Sequence, residues 1–212
     1  FTIFHFNDNK EEQDQTSIEV RYSSTFSDRF NFVVGVNQFQ QNYSIGERRN
    51  FFIALNSATY SETEHDTFGI FGEINFNVTD ALSLTAGGRW TKEEKSIDIG
   101  ILGSCELDFS SCTNNASNEK DWSNFSPKVA AQYQFTDDMM AYASWTRGFA
   151  SGVFNARAAT LDAVGPTDPE SVDSIEVGFK TSFLDGRGIF NIAYFQADYE
   201  DLILFVNNPC DN

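Results

Sequence analysis

Apolar and polar positions alternate with a period of two along most of this chain. Phe68, Ile70, Ile74, Phe76 and Val78 share one parity, with Gly72 among them; Gly69, Glu73, Asn75 and Asn77 share the other, together with Phe71. The pattern returns in Ile18, Val20 and Tyr22 against Glu19, Arg21 and Ser23. It recurs in Val129, Ala131, Tyr133 and Phe135 against Lys128, Ala130, Gln132 and Gln134, and in Ile175, Val177 and Phe179 against Glu176, Gly178 and Lys180. A strand throws successive side chains to opposite faces, so this alternation predicts strands with one apolar and one polar face. No stretch follows the helical period of 3.6, and the fold class expected is all-β.

Turn signals punctuate the strands at Ser27-Asp28-Arg29, Thr79-Asp80-Ala81, Thr136-Asp137-Asp138 and Leu184-Asp185-Gly186-Arg187. Asp and Ser bond their own backbone in turns, and Gly accepts left-handed backbone. From Asp28 to Asp80 is 52 residues, from Asp80 to Asp137 is 57, and from Asp137 to Asp185 is 48. Each interval holds two strands of about 11 to 15 residues and one long polar segment, near 41–64, 98–120 and 151–168. All tight turns therefore fall at one end of the sheet and all long loops at the other. That asymmetry is the rule of outer-membrane barrels, with short periplasmic turns and long extracellular loops. The expected architecture is an antiparallel up-and-down transmembrane β-barrel segment of about eight or nine strands, with lipid as its outer solvent.

Composition agrees once strands rather than helices do the spanning. The 212 residues carry a formal net charge of -17, yet 22 of them are Phe. So acidic a chain repels phosphate backbones, which excludes a nucleic-acid partner, and it has no basic patch for an anionic membrane surface. Its apolar content excludes disorder. The longest apolar run is Phe51-Phe52-Ile53-Ala54-Leu55, far short of the ~20 residues a spanning helix needs. Phe26, Phe30, Phe76, Phe135, Phe183 and Phe190 lie within a few residues of tight turns, which predicts an aromatic girdle at the periplasmic interface. Trp90, Trp122 and Trp145 stand further towards the loop end.

Candidate chemistry is sparse. Cys105 and Cys112, separated by six residues in a polar loop, are read as a disulfide in an oxidising exterior, with Cys210 paired beyond the sequence. His5 and His65 are far apart, and no nucleophile triad, metal-ligand spacing or phosphate loop is present; an enzyme is not expected. Gly87-Gly88 reads as close packing or curvature. Glu93-Glu94 and Asp137-Asp138 read as solvated carboxylates in a loop flank and a turn. On the polar parity, Arg21, Glu73, Arg89, Lys128, Glu176 and Lys180 are predicted to face the lumen. There they contact a substrate, or pair with each other and with a plug. Residues 160–176 hold Asp162, Asp168, Glu170, Asp173 and Glu176 and no base; calcium in this loop and simple solubility both remain open.

The run Trp122-Ser-Asn-Phe-Ser-Pro-Lys-Val through Arg147-Gly-Phe-Ala-Ser-Gly-Val-Phe-Asn155 resembles the barrel of TonB-dependent outer-membrane receptors. So do Pro169-Glu-Ser-Val-Asp-Ser-Ile-Glu-Val-Gly-Phe-Lys180 and the Leu184-Asp-Gly-Arg187 hairpin that follows. Pro127, Lys128, Arg147, Gly148, Phe149, Pro169, Glu170, Glu176, Gly178, Lys180, Asp185, Gly186 and Arg187 match the family pattern in order. Gly87-Gly88-Arg89-Trp90-Thr91 resembles the preceding strand. The resemblance covers about 65 to 202. It implies a barrel of about 22 strands closed by a plug. It also implies import of a ferric siderophore or similar scarce nutrient, without a resident cofactor, energised by the TonB-ExbB-ExbD complex. Signal, TonB box, plug and C-terminal aromatic strand are not recognised in the sequence, so an internal piece of the barrel domain is expected over 1–212. Two alternatives stay open: a complete small outer-membrane barrel with a structural or adhesive role, and a soluble carbohydrate-binding β-sandwich.

Overall fold

The computed structural model describes residues 5–24, 27–51, 55–100, 115–158 and 161–203. They form one antiparallel sheet of eight strands in sequence order: β1 (His5–Ser23), β2 (Phe30–Phe51), β3 (Leu55–Asn77), β4 (Leu82–Gly100), β5 (Asn115–Thr136), β6 (Met139–Ala150), β7 (Glu170–Phe183) and β8 (Gly188–Glu200). Each strand pairs with its sequence neighbours, so β1 and β8 are the two edges.

The short connections fall where the turn residues predict them. Ser27 Oγ accepts from the amides of Arg29 and Phe30, at 3.2 and 2.9 Å. Thr79 Oγ1 accepts from Ala81 and Leu82, at 3.2 and 3.0 Å. The last hairpin takes Leu184, Asp185 and Gly186 through positive φ, a conformation free of cost only for the glycine. Neighbouring turns are also stitched together: Asn77 N donates to Arg29 O, and Gln134 N to Ala81 O, both at 2.8 Å.

Strand length departs from expectation. β1 to β5 run 19 to 23 residues; β6 to β8 run 12 to 14. The segment 41–64, expected as a loop, is mostly strand, because β2 and β3 stay paired from Phe30↔Phe76 to Phe51↔Leu55. Segment 98–120 is likewise strand up to Gly100 and from Asn115. Beyond the bilayer both faces of a strand meet water, so the hydrophobic alternation fades while backbone pairing continues. Glu62, Glu64 and Asp66 on one parity against Ser61, Thr63 and His65 on the other illustrate this.

Directly paired residues share a face. Val20, Val36, Ile70, Trp90 and Phe125 form one row across β1 to β5, all 39–65% exposed. The next row, Arg21, Gly35, Phe71, Arg89 and Ser126, lies on the other face. A sheet with so much apolar surface open on one side has that side against lipid; this is the outer face and its opposite the inner. Along β4 the polarity then inverts. Leu84, Ala86 and Trp90 are the outer residues near the turn end; further on the outer residues are Lys92, Glu94, Ser96 and Asp98. Ile97 and Ile99 now face inward and are fully buried, with Ala158 and Val164 of the β6–β7 connection packed on them. The core of the described residues thus lies at the loop end of the inner face.

Candidate functional site

The register places Arg21, Glu73, Arg89, Lys128, Glu176 and Lys180 all on the inner face. Each has a neighbour there. Lys128 Nζ lies 2.8 Å from Glu73 Oε2. The Arg89 guanidinium donates to Asn37 Oδ1 at 2.5 Å and to Thr91 Oγ1 at 2.9 Å, and rests 5.9 Å from the Phe71 ring centre. Tyr142 donates to Glu176 Oε1 at 2.5 Å, while Lys180 Nζ sits 5.3 Å over the Tyr142 ring. Arg21 Nε is 3.8 Å from Glu19 Oε1, with both side chains well exposed. Towards the turns this face holds a basin of about 450 Å³ whose lining includes Asn75, Asn77, Thr85, Gln132, Tyr142 and Lys180. Amides and hydroxyls share it with Ala130, Ala131 and Met140; Thr85 donates to Asn75 Oδ1 at 2.7 Å.

At the loop end the inner face carries a polar clasp that the sequence did not disclose. Glu93 Oε2 is reached by Ser151 Oγ at 2.6 Å, His65 Nε2 at 3.0 Å and Lys95 Nζ at 3.5 Å. Lys95 also donates to Ser151 Oγ and Gly152 O, at 2.6 and 3.1 Å, and lies 5.7 Å from the Trp122 ring centre. Thr67 Oγ1 is 3.0 Å from the same His65 nitrogen. This level is past the last apolar residues of the outer face, Phe68, Trp90 and Phe125, and so clear of the bilayer. There the His65 hydrogen bond, helped by Ser151 and Lys95 and opposed by burial, holds the Glu93 carboxyl down at about 2. Glu93 is therefore a partly buried strand residue, not the solvated loop carboxylate expected; its neighbour Glu94 points outward and pairs with Lys92. Glu93 of β4 and Ser151, just past the end of β6, are 58 positions apart, a juxtaposition that periodicity does not encode.

The other predicted residues are placed as follows. Phe30, Phe76, Phe135, Phe183 and Phe190 are exposed on the outer face near the turns. Phe26, Cys105, Cys112 and Cys210 lie outside the described residues. Trp90 and Trp145 are on the outer face, but Trp122 is inside and buried. Arg147 approaches Asp173 and Glu200 on the outer face, at 3.7 and 3.6 Å. Gly148 faces Val172 and Gly178 faces Tyr142, where a Cβ would collide with the Tyr142 ring. Pro127 is opposite Gly88, Phe149 is opposite Ser171, and Pro169 precedes β7. The Glu170 carboxylate accepts from the amide of Ile203. Asp185, Gly186 and Arg187 make the last hairpin, where Arg187 Nε donates to Leu184 O at 3.0 Å. Among the described residues no three His, Cys, Asp or Glu gather to hold a metal ion, the acidic residues of 161–176 included.

An eight-stranded meander with an apolar outer face, a charged inner face, tight turns at one end and long extensions at the other defines a piece of an outer-membrane β-barrel. Residues 2–212 match the family described as TonB dependent receptor-like, beta-barrel, and the chain belongs to it. The match takes in residues 2–64, which alternation alone had suggested. The chain is 25% identical over 147 residues to the ferric-pyoverdine BN7/BN8 receptor of Pseudomonas putida, covering 68% of this chain and 17% of that one. It is 28% identical over 142 residues to the ferripyoverdine receptor of Pseudomonas aeruginosa, covering 67% and 15%. The fold matches the ferric yersiniabactin uptake receptor FyuA from Yersinia pestis with TM-score 0.82 at 13% identity, over 93% of this chain and 30% of that one. The chain thus spans about a sixth of the curated receptors it matches. The family consists of TonB-energised transporters in the outer membrane, not enzymes.

Proposed function

We propose that residues 1–212 are part of the barrel wall of a receptor that takes up a ferric siderophore, driven by the TonB-ExbB-ExbD complex. The observation that carries this reading is the sheet's two-sidedness: apolar rows on the outer face of β1 to β5 and towards the turns of β6 to β8, behind an inner face of paired charges and amides. The relatives matched over two thirds of the chain are named as ferric-pyoverdine receptors. In this reading Arg21, Glu73, Arg89, Lys128, Glu176 and Lys180 line the lumen, where they face the plug or the passing chelate. The Phe residues near the turns sit at the periplasmic interface, and Cys105 and Cys112 close a disulfide in an extracellular loop. The outer rows of exposed Val, Ile and Phe set the proposal apart from a soluble β-sandwich, whose two faces are one core and one wetted surface.

The test is uptake of radioactive iron by cells that carry the complete receptor as their sole siderophore receptor. Supplied with ferric pyoverdine and a panel of other ferric siderophores, they are expected to accumulate iron from at least one, and to lose this when TonB is deleted. Uptake that persists without TonB, or its absence for every chelate while another nutrient is taken up, overturns the reading.

A further inference from the structure

The β6–β7 connection, described over 151–158 and 161–169, folds inward across the inner face of β2 to β5. It is a compact unit in itself: Asn155 N donates to Val164 O at 2.7 Å and Thr167 N to Val153 O at 3.0 Å. Three attachments hold it. Its start is clasped by Glu93 and Lys95 through Ser151 and Gly152. Its middle buries Ala158 and Val164 against Ile97 and Ile99, none of the four more than 2% exposed. Further round, Ser61 Oγ donates to Ala156 O at 3.2 Å and Arg157 Nε meets Glu47 Oε2 at 3.2 Å. The inverted polarity of β4 gives the reason for this docking. Ile97 and Ile99 are apolar residues on the inner face, and among the described residues the connection, with Ala116 of β5 beside it, covers them.

We propose that this connection is a permanently docked strap of the mouth wall, and that Glu93 is the residue that positions it. The proposal rests on the reading of the inner face as a transport lumen. What an arriving molecule meets on this wall is then the strap's own exposed Arg157, Leu161 and Asp162, set in place by Glu93, and not the strand residues beneath. One oxygen of Glu93 serves His65, Ser151 and Lys95 together. Glutamine there keeps the shape and one acceptor but loses the charge that gathers the two bases.

The experiment uses whole cells displaying the complete receptor and a membrane-impermeant maleimide, with rates taken above those of the receptor without an added cysteine. Ala158→Cys reports the buried side of the strap and Asp162→Cys its exposed side. A docked strap makes Ala158→Cys label at least about tenfold more slowly than Asp162→Cys, since labelling requires local opening. Glu93→Ala is expected to raise the Ala158→Cys rate by about tenfold and Glu93→Gln by a smaller factor, with Asp162→Cys unchanged. Ser151→Ala cuts the clasp from the loop side and gives the same rise should Glu93→Ala fail to assemble. Equal rates for the two cysteines in the otherwise native receptor overturn the docking. Continued protection of Ala158→Cys in Glu93→Ala or Ser151→Ala overturns the positioning role, as does a Glu93→Gln receptor indistinguishable from the parent. If the transport reading alone is wrong, this labelling pattern stands while iron uptake is missing.

Discussion

Glu73 and Lys128 form an ion pair, 2.8 Å from Oε2 to Nζ, although a whole strand lies between them. Glu73 on β3 and Lys128 on β5 are both directly opposite Gly87 of β4. A Cβ on Gly87 would meet Gly72 O at 2.8 Å and the Glu73 Cβ at 3.1 Å, so the missing side chain is what lets the pair close over β4. The Lys128 side chain is 46% exposed, and such a pair is worth only ~0–1 kcal/mol. Lys128→Ala is therefore expected to cost less than about 1 kcal/mol, and Gly87→Val about 1–3 kcal/mol through overpacking. Urea-unfolding midpoints of the refolded complete receptor in detergent micelles check the order. Equal losses from the two would show that Gly87 has no spacing role.

The outer face sets a second expectation. Ile74 lies in the middle of the apolar face on β3, whereas Asn75 of the same strand faces inward. Arginine near the bilayer midplane costs ~2–4 kcal/mol on the lipid side of a barrel. Ile74→Arg should thus deplete assembled receptor in outer-membrane fractions, and Asn75→Arg should leave its amount close to that of the parent. Equal depletion by both would mean that the two faces are assigned wrongly.

How far the sequence discloses this molecule depends on the solvent at each level. Within the bilayer one face meets hydrocarbon and the other water, so Ile70 and Ile74 against Glu73 and Asn75 spell out strand and face. The turns are legible for a local reason: Ser27 and Thr79 bond amides two and three residues on. Above the bilayer both faces are wet and the same strands read as polar loop, which is why 41–64 carries no strand signal. The clasp was hidden for another reason. His65, Glu93 and Ser151 are 28 and 58 residues apart and meet only through the register of β3 on β4 and the inward fold of the β6–β7 connection. Ile97 and Ile99 did carry a signal: apolar residues on the inner parity at the loop end call for a cover from elsewhere in the chain.

The edges make a third case. β1 and β8 each lack a partner strand on one side among the described residues. Unpaired backbone amides and carbonyls cost several kcal/mol each in hydrocarbon, so only closed barrels span a membrane with strands. The 212-residue chain alone, refolded with liposomes, is expected to remain digestible by protease and to insert no stable span. A protease-resistant, heat-modifiable inserted form would contradict this and revive the small complete barrel.

Acid is the last lever, and it acts on the clasp. Glu93 is held at about 2 against an ordinary 4.5, first by the hydrogen bond from His65. A carboxyl whose folded value is depressed stabilises the docked strap fully above its unfolded value and loses that contribution as pH falls through the folded one. The strap should accordingly stay docked from neutral pH to below 4.5 and release only as pH approaches 2. Trp122, packed between Lys95 and Phe154, reports this by its emission in a receptor whose Trp90 and Trp145 are replaced by Phe. His65→Ala removes the largest cause of the depression, so the midpoint of the emission change should move up towards 4.5. A midpoint that does not move would show that His65 does not hold the Glu93 charge, and that Ser151 and Lys95 hold it instead.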